Sequence, residues 1–178
     1  MRKKIITVLA VVSALCALSQ TALAGLAVKE IKWQVVSAAE KPGGKASYQD
    51  AASLTLGKNG KFPGKVRLLV RVENSGAQAA EGRVFRCAVS MRIAKDGASE
   101  PGLWSVPFTV DERRVGKIQP GETADVIIAH LDLNVYLKRI ANTGFTPDRL
   151  AASVMAEPRK GDELAALLSR SEIELKAK

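Results

Sequence analysis

Cysteine, histidine and aromatic residues are scarce in this 178-residue chain, and each scarcity closes off a kind of chemistry. There are two cysteines, Cys16 and Cys87, and Cys16 falls in an N-terminal apolar run that reads as a leader. A mature chain with one thiol is not a disulfide-stapled domain, so its core must hold by burial alone. His130 is the single histidine, which excludes a His-rich metal site and, with the lone thiol facing inward, a Cys/His zinc site. A Ser-His-Asp triad finds only Asp132 near His130, with no G-x-S-x-G elbow, so His130 is expected at a strand end, its ring tucked under a neighbouring helix. Aromatic residues are 4% of the chain, too few for the stacking platforms that sugars use, so Trp33 and Trp104 are expected to fill the core. Asp111-Glu112 beside Arg113-Arg114 reads as a solvated charged turn rather than an acid/base pair. Neither a phosphate-cradling glycine loop nor a calcium loop is present, so no cofactor or metal is expected. The basic residues are scattered, without long runs or interleaved aromatics, which argues against nucleic acid.

The first 24 residues have the build of a secretory signal peptide. Arg2, Lys3 and Lys4 precede an apolar run from Ile5 to Leu18, and Ala22-Leu23-Ala24 places small residues before Gly25. The run is short for a membrane span, which needs about 20 apolar residues. Leu15 is too bulky for the position before a lipidated cysteine, so Cys16 does not mark a lipoprotein. The expectation is a periplasmic or secreted product of residues 25–178, one domain, with no transmembrane segment after cleavage. Losing the leader's three basic residues lowers the net charge from +9 to +6. That balance suits simple solubility first and an anionic surface polymer second.

Residues 65–93 carry the clearest pattern. Val66, Leu68, Val70 and Val72 alternate with mostly charged neighbours, and after a polar break Phe85, Cys87, Val89, Met91 and Ile93 do the same. Period-two alternation predicts two half-buried strands around one interior, with Cys87 packed and inert. A first strand is expected over 26–37 with Ile31, Trp33 and Val35 inward and a bulge at Lys29-Glu30. Residues 38–63 read as a long loop, functional or mobile, with room for a short strand at 52–56. Residues 104–111 put Trp104, Val106, Phe108 and Val110 on one face, and Pro107, unable to donate to a ladder, marks an edge strand. Further strands are expected over 123–131, 149–157 and 170–176. Between them, 132–142 reads as a short helix carrying Leu133, Tyr136, Leu137 and Ile140 on one face, started by Asp132 or Asn134 and stopped at Gly144. Residues 163–168 have the pattern of one helical turn. The sum is all-β: an immunoglobulin-like antiparallel β-sandwich of about seven strands with a short helical insertion.

Three short motifs add a family likeness. VRVENSGAQAAEG at 70–82 resembles the V-x-N-x-G-x-x-x-A turn of CARDB-type bacterial immunoglobulin-like extracellular modules, and Ile118-Gln119-Pro120-Gly121-Glu122 resembles their L-x-P-G-E corner. Ala156-Glu157-Pro158 followed by Glu163 is similar to their D-P…E segment before the last strand. The acidic, paired-Asn run of that family is missing here, and the insertion at 132–148 is unusual for it. The resemblance implies a sandwich of non-catalytic character serving adhesion, scaffolding or substrate binding.

The expected function is therefore non-enzymatic: a protein-binding accessory, assembly or adhesion module of the cell envelope. An envelope or surface protein is the expected partner, met through Trp104, Val106 and Phe108 on the edge strand, the loop 38–63 and Tyr136 in the insertion. The alternative is a carbohydrate or wall-polymer binding module, which requires Trp33 or Trp104 exposed in a polar groove.

Overall fold

Alternation at period two builds the centre of the molecule as the sequence predicts. Val66, Leu68, Val70 and Val72 are fully buried in the strand Gly64–Asn74, as are Phe85, Cys87 and Val89 in the strand Val84–Lys95. The computed structural model describes residues 25–37, 47–96, 102–141 and 143–177. The leader and part of the expected loop, residues 38–46, lie outside the described residues. In chain order the strands are β1 (Leu26–Ser37), β2 (Gln49–Asp50), β3 (Ser53–Thr55), β4 (Gly64–Asn74), β5 (Val84–Lys95), β6 (Leu103–Trp104), β7 (Thr109–Arg114), β8 (Thr123–Leu131), β9 (Phe145–Ala156) and β10 (Leu168–Lys176). Helix α1 (Leu133–Ile140) separates β8 from β9, and the single turn α2 (Leu164–Leu167) precedes β10.

The strands form two facing sheets, β2-β1-β4-β8 and β3-β10-β9-β5-β6, with β7 continuing along the same edge of β5 as β6. This is an all-β sandwich, with β4 and β5 in opposite sheets and the 75–82 connection crossing between them. One strand pair departs from the expected antiparallel pattern. β3 runs parallel to β10, Ser53 opposite Glu174 and Thr55 opposite Lys176, because the chain leaves the first sheet at Asp50 and joins the second at Ser53.

Local sequence explains the strand irregularities. The register of β1 shifts between Val28 and Glu30, so Lys29 is the surplus residue and Leu26, Ile31 and Trp33 all reach the core. Trp33 is buried, and its Nε1 donates to Ser171 Oγ on the other sheet at 3.1 Å. Helix α1 buries Leu133 and Leu137 as its spacing predicts. Neither candidate cap acts as one. Asp132 holds the cap position without a side-chain bond, while the Asn134 amide accepts from Phe62 N at 2.8 Å and donates to Phe62 O at 3.0 Å. Gly144 takes the left-handed φ of +77° that lets the chain turn from the helix into β9. That strand begins at Phe145, earlier than its apolar alternation suggests, pairing with the far end of β5 as far as Lys95.

The inward stripes of β4 and β5 both terminate in a polar residue, Asn74 and Arg83, at the same end of the sandwich. Both are fully buried. Asn74 Nδ2 donates to Gln78 O (2.8 Å) and Ile118 O (3.0 Å), while its Oδ1 accepts from Gly76 N (3.1 Å). Its backbone N–H donates to Glu122 O at 3.0 Å, and its carbonyl accepts from Gly121 N at 2.7 Å. The Asn-x-Gly and Pro-Gly-Glu segments are thus one structure, with Glu122 Oε2 accepting from Gln119 N at 2.6 Å. Arg83 ion-pairs through Nη2 with buried Asp162, whose carboxylate also accepts from Arg159 N at 2.8 Å. That pins the 158–162 turn against the start of β5, where Glu157 N also donates to Val84 O at 2.8 Å.

Two stability outcomes follow from these buried polar groups. Asn74→Ala strips partners from two carbonyls and should cost about 1–3 kcal/mol in urea unfolding. Asp162→Ala leaves the Arg83 charge buried without a carboxylate and should cost more, about 3–5 kcal/mol, by the same measurement.

Candidate functional site

The edge of the six-stranded sheet departs from regular structure where the sequence carries Pro107. Trp104 lies opposite Arg92 and Thr109 opposite Val89, so the chain uses five steps where β5 uses three. Ser105–Phe108 hold the two surplus residues outside the ladder. Ser105 N donates to Met91 O at 2.8 Å and Phe108 N to Val89 O at 2.9 Å, with Met91 N returned to Ser105 Oγ at 3.1 Å. Pro107, with no N–H, sits in the bulged portion.

This excursion revises the expected single strand over 104–111 with one inward face. Trp104 shares the outer face with Arg92, and Val110 lies opposite outward Ala88. Leu103, Val106 and Val110 are 80%, 82% and 66% exposed, and Trp104 is 37% exposed rather than core. Only Phe108 turns toward the interior, half-buried with its ring 4.2 Å from that of Tyr136 and tilted 43°. The four residues expected to meet a partner therefore divide. Phe108 and Tyr136 form an internal aromatic contact that fastens helix α1 to the edge, while Trp104 and Val106 face outward.

Trp104 has a specific support. The guanidinium of Arg170, on β10, lies 4.9 Å from its ring centroid. Two strands separate β6 from β10, a span of roughly 14 Å at normal strand spacing. The two side chains meet across the sheet's outer face because small residues, Ser90 and Ala151, occupy the middle strands there. Ala151 points outward yet is buried. The contact draws the edge segment onto the sheet and fixes where Leu103 and Val106 stand.

Several charges around this edge pair with one another. Arg86 pairs with Glu112 at 2.5 Å, Arg170 with Glu172 at 3.1 Å, and Arg92 grips Asp148 through Nε and Nη2 at 2.8 and 2.5 Å. The hydrogen bonds from Arg92 hold the Asp148 carboxyl below its usual range, against the opposing effect of its partial burial. Arg113 Nε donates to Ile127 O of β8 at 3.3 Å, tying β7 to the facing sheet. Asp111 and Arg114 of β7 join no ion pair among the described residues, and the large apolar side chains exposed along the edge, beside Trp104, are Leu103, Val106 and Val110.

The other residues singled out by sequence lie elsewhere. Asp111 and Glu112 are in strand β7, not a turn, opposite Cys87 and Arg86. His130 is exposed on the outer face of the four-stranded sheet, opposite Arg67, because its neighbours Ala129 and Leu131 take the inward positions. Its ring stands 6.3 Å from that of Tyr48, on which Arg67 stacks at 3.8 Å, and not under helix α1. Among the described residues no group of three or more His, Cys, Asp or Glu side chains is placed to hold a metal ion. No helix among them is long and apolar enough to cross a membrane. Sequence reasoning missed Leu103; the adjacent apolar pair Leu103-Trp104, where a half-buried strand would alternate, was the available signal.

No family model matches the chain, and no curated protein matches it. Among solved structures it is similar to the Pseudomonas fluorescens alkylpurine DNA glycosylase AlkC bound to DNA containing an abasic site analog, at 14% identity and a TM-score of 0.42, over 86% of this chain and 31% of that one. It is also similar to a β-glucosidase involved in saponin metabolism from intestinal bacteria (16% identity, TM-score 0.37, 86% of this chain and 16% of that one). A β-glucosidase from Erythrobacter marinus is a third such structure (17% identity, TM-score 0.36, 85% and 15%). The chain thus spans less than a third of each, and likenesses this distant assign neither activity nor partner.

Cys87 is the one described thiol, and the structure gives it no reactivity. It is fully buried, and burial, with a smaller contribution from nearby Asp111, pushes its pKa up to about 12. The thiol therefore stays protonated throughout the neutral range. Iodoacetamide at about pH 8 should leave the native protein unmodified and alkylate it only in denaturant, as read by mass spectrometry.

Proposed function

We propose that this protein is a non-catalytic, extracytoplasmic binding module that engages a protein of the cell envelope through the β6–β7 edge. The observation that carries the reading is the exposure of Leu103, Val106 and Val110 on one sheet edge. Edge strands are ordinarily protected by charged side chains, proline, bulges or covering elements, and here the bulge around Pro107 interrupts the ladder while leaving Leu103, Val106 and Val110 exposed. An edge that instead displays apolar side chains beside outward-directed backbone N–H and C=O groups suits an extended segment of another protein, which gains both ladder bonds and apolar burial. The leader-like N-terminus supports an envelope or surface location for that partner.

The saccharide alternative has less support. Trp33 is internal, and Trp104 is engaged by Arg170 on an open sheet face rather than standing free in a polar groove.

The double variant Leu103→Asp/Val106→Asp tests the edge. Both side chains are solvent-exposed, so thermal unfolding should match wild type within about 0.5 kcal/mol. Wild type, and a Lys117→Asp control, should retain one discrete protein from native envelope extract in stoichiometric amount, and the edge variant should lose it. Equal recovery by all three, or retention of purified wall glycan by all three with no protein enriched, would refute edge-mediated binding.

A further inference from the structure

At the end of the sandwich opposite Asn74 and Arg83, a cavity of about 700 Å³ opens between the 57–61 turn, helix α1 and the first residues of β9. Its size falls within the roughly 300–1,000 Å³ of ordinary small-molecule sites. The walls are held in place by their own bonds. Gly57 N donates to Lys61 O at 2.7 Å and Gly60 N to Gly57 O at 2.9 Å, with Gly60 at a left-handed φ of +71°. The reciprocal Asn134–Phe62 pair then joins this turn to the helix.

Two properties of the lining identify a ligand class. Leu56 and Leu137 are buried beneath it, while Val135 and Phe145 each keep 45% of their surface open. Lys58, Lys61 and Lys138 also line it, and among the described residues none of them pairs with a carboxylate; Asp132 is the one acid on the lining. Several polar groups that could recognise a peptide backbone are already occupied: the Asn134 amide by Phe62, Asn59 Oδ1 by Lys61 N at 3.2 Å, and the Gly57 and Gly60 N–H groups by the Lys61 and Gly57 carbonyls. The cavity thus offers apolar surface beside ammonium groups.

We propose that this cavity binds a single-chain anionic amphiphile, its acyl chain lying against Val135, Leu137 and Phe145 and its carboxylate among Lys58, Lys61 and Lys138. The proposal is independent of the protein-binding edge, to which none of these residues belongs.

Equilibrium dialysis of the purified protein with labelled dodecanoate below its micellar concentration tests it, with dodecan-1-ol as the uncharged chain of equal length. Dodecanoate should bind at a single saturable site, and dodecanol about tenfold or more weakly. Lys58→Gln/Lys61→Gln/Lys138→Gln should weaken dodecanoate by about tenfold while leaving dodecanol unchanged, and Val135→Trp should weaken both. The Leu103→Asp/Val106→Asp protein should bind dodecanoate as wild type does, which separates this site from the edge. Absence of saturable binding, equal affinity for acid and alcohol, or indifference to the lysine substitutions would overturn the proposal. So would tighter binding of an apolar peptide bearing a free C-terminal carboxylate.

Discussion

Two polar side chains buried at one end of the sandwich fix the geometry on which the rest depends. Asn74 and Arg83 cap the inward stripes of β4 and β5, which lie in opposite sheets. In that position each would be costly without a partner, and each finds one in a segment distant in sequence, although Arg83 Nε and Nη1 stay buried without a hydrogen bond. Asn74 recruits the 118–122 corner that feeds β8, and Arg83 recruits the 158–162 turn between β9 and β10. The crossing between sheets, the start of β8 and the return to β10 are therefore specified together. An apolar residue at either position would lose this long-range register information even where it filled the volume.

That closed end leaves the variable parts of the fold at the side and at the other end. The β6–β7 edge is shaped by one proline and two surplus residues, which place Leu103 and Val106 in solvent and Phe108 against Tyr136. The Trp104–Arg170 contact holds the segment from the outside while Phe108 holds it from within. An apolar segment fastened on both sides is a preformed surface, and a preformed surface loses less entropy on binding than a mobile loop. At the far end, helix α1 and the 57–61 turn enclose a basic and apolar cavity on walls that are likewise fixed.

Much of the architecture was legible because alternation is a direct readout of which face is wet. β1 with its bulge at Lys29, β4, β5 and β10 all follow their apolar spacing, as does helix α1, whereas β8 slips register at Ile128. The edge was not legible, since alternation assumes an unbroken ladder and the surplus residues around Pro107 shift which side chains turn inward. Trp104 illustrates the consequence: its spacing from Phe108 suggested a shared face, and the excursion between them separates the two. The pairing of the Asn-x-Gly and Pro-Gly-Glu motifs was equally hidden, because each is ordinary turn chemistry alone and their meeting is a tertiary event. The parallel seating of β3 on β10 is of the same kind, made by three residues whose partners lie at the other end of the chain.

We propose that the exposed apolar edge meets a protein partner in the native envelope. Site-specific photocrosslinking in intact cells tests it most directly, with a benzophenone side chain placed at Val106 and, separately, at Lys117 and at Arg71 on the outer face of the four-stranded sheet. Position 106 should give one discrete protein adduct, and the other two positions none of that mass. No adduct from position 106, or the same adducts from all three positions, would contradict it.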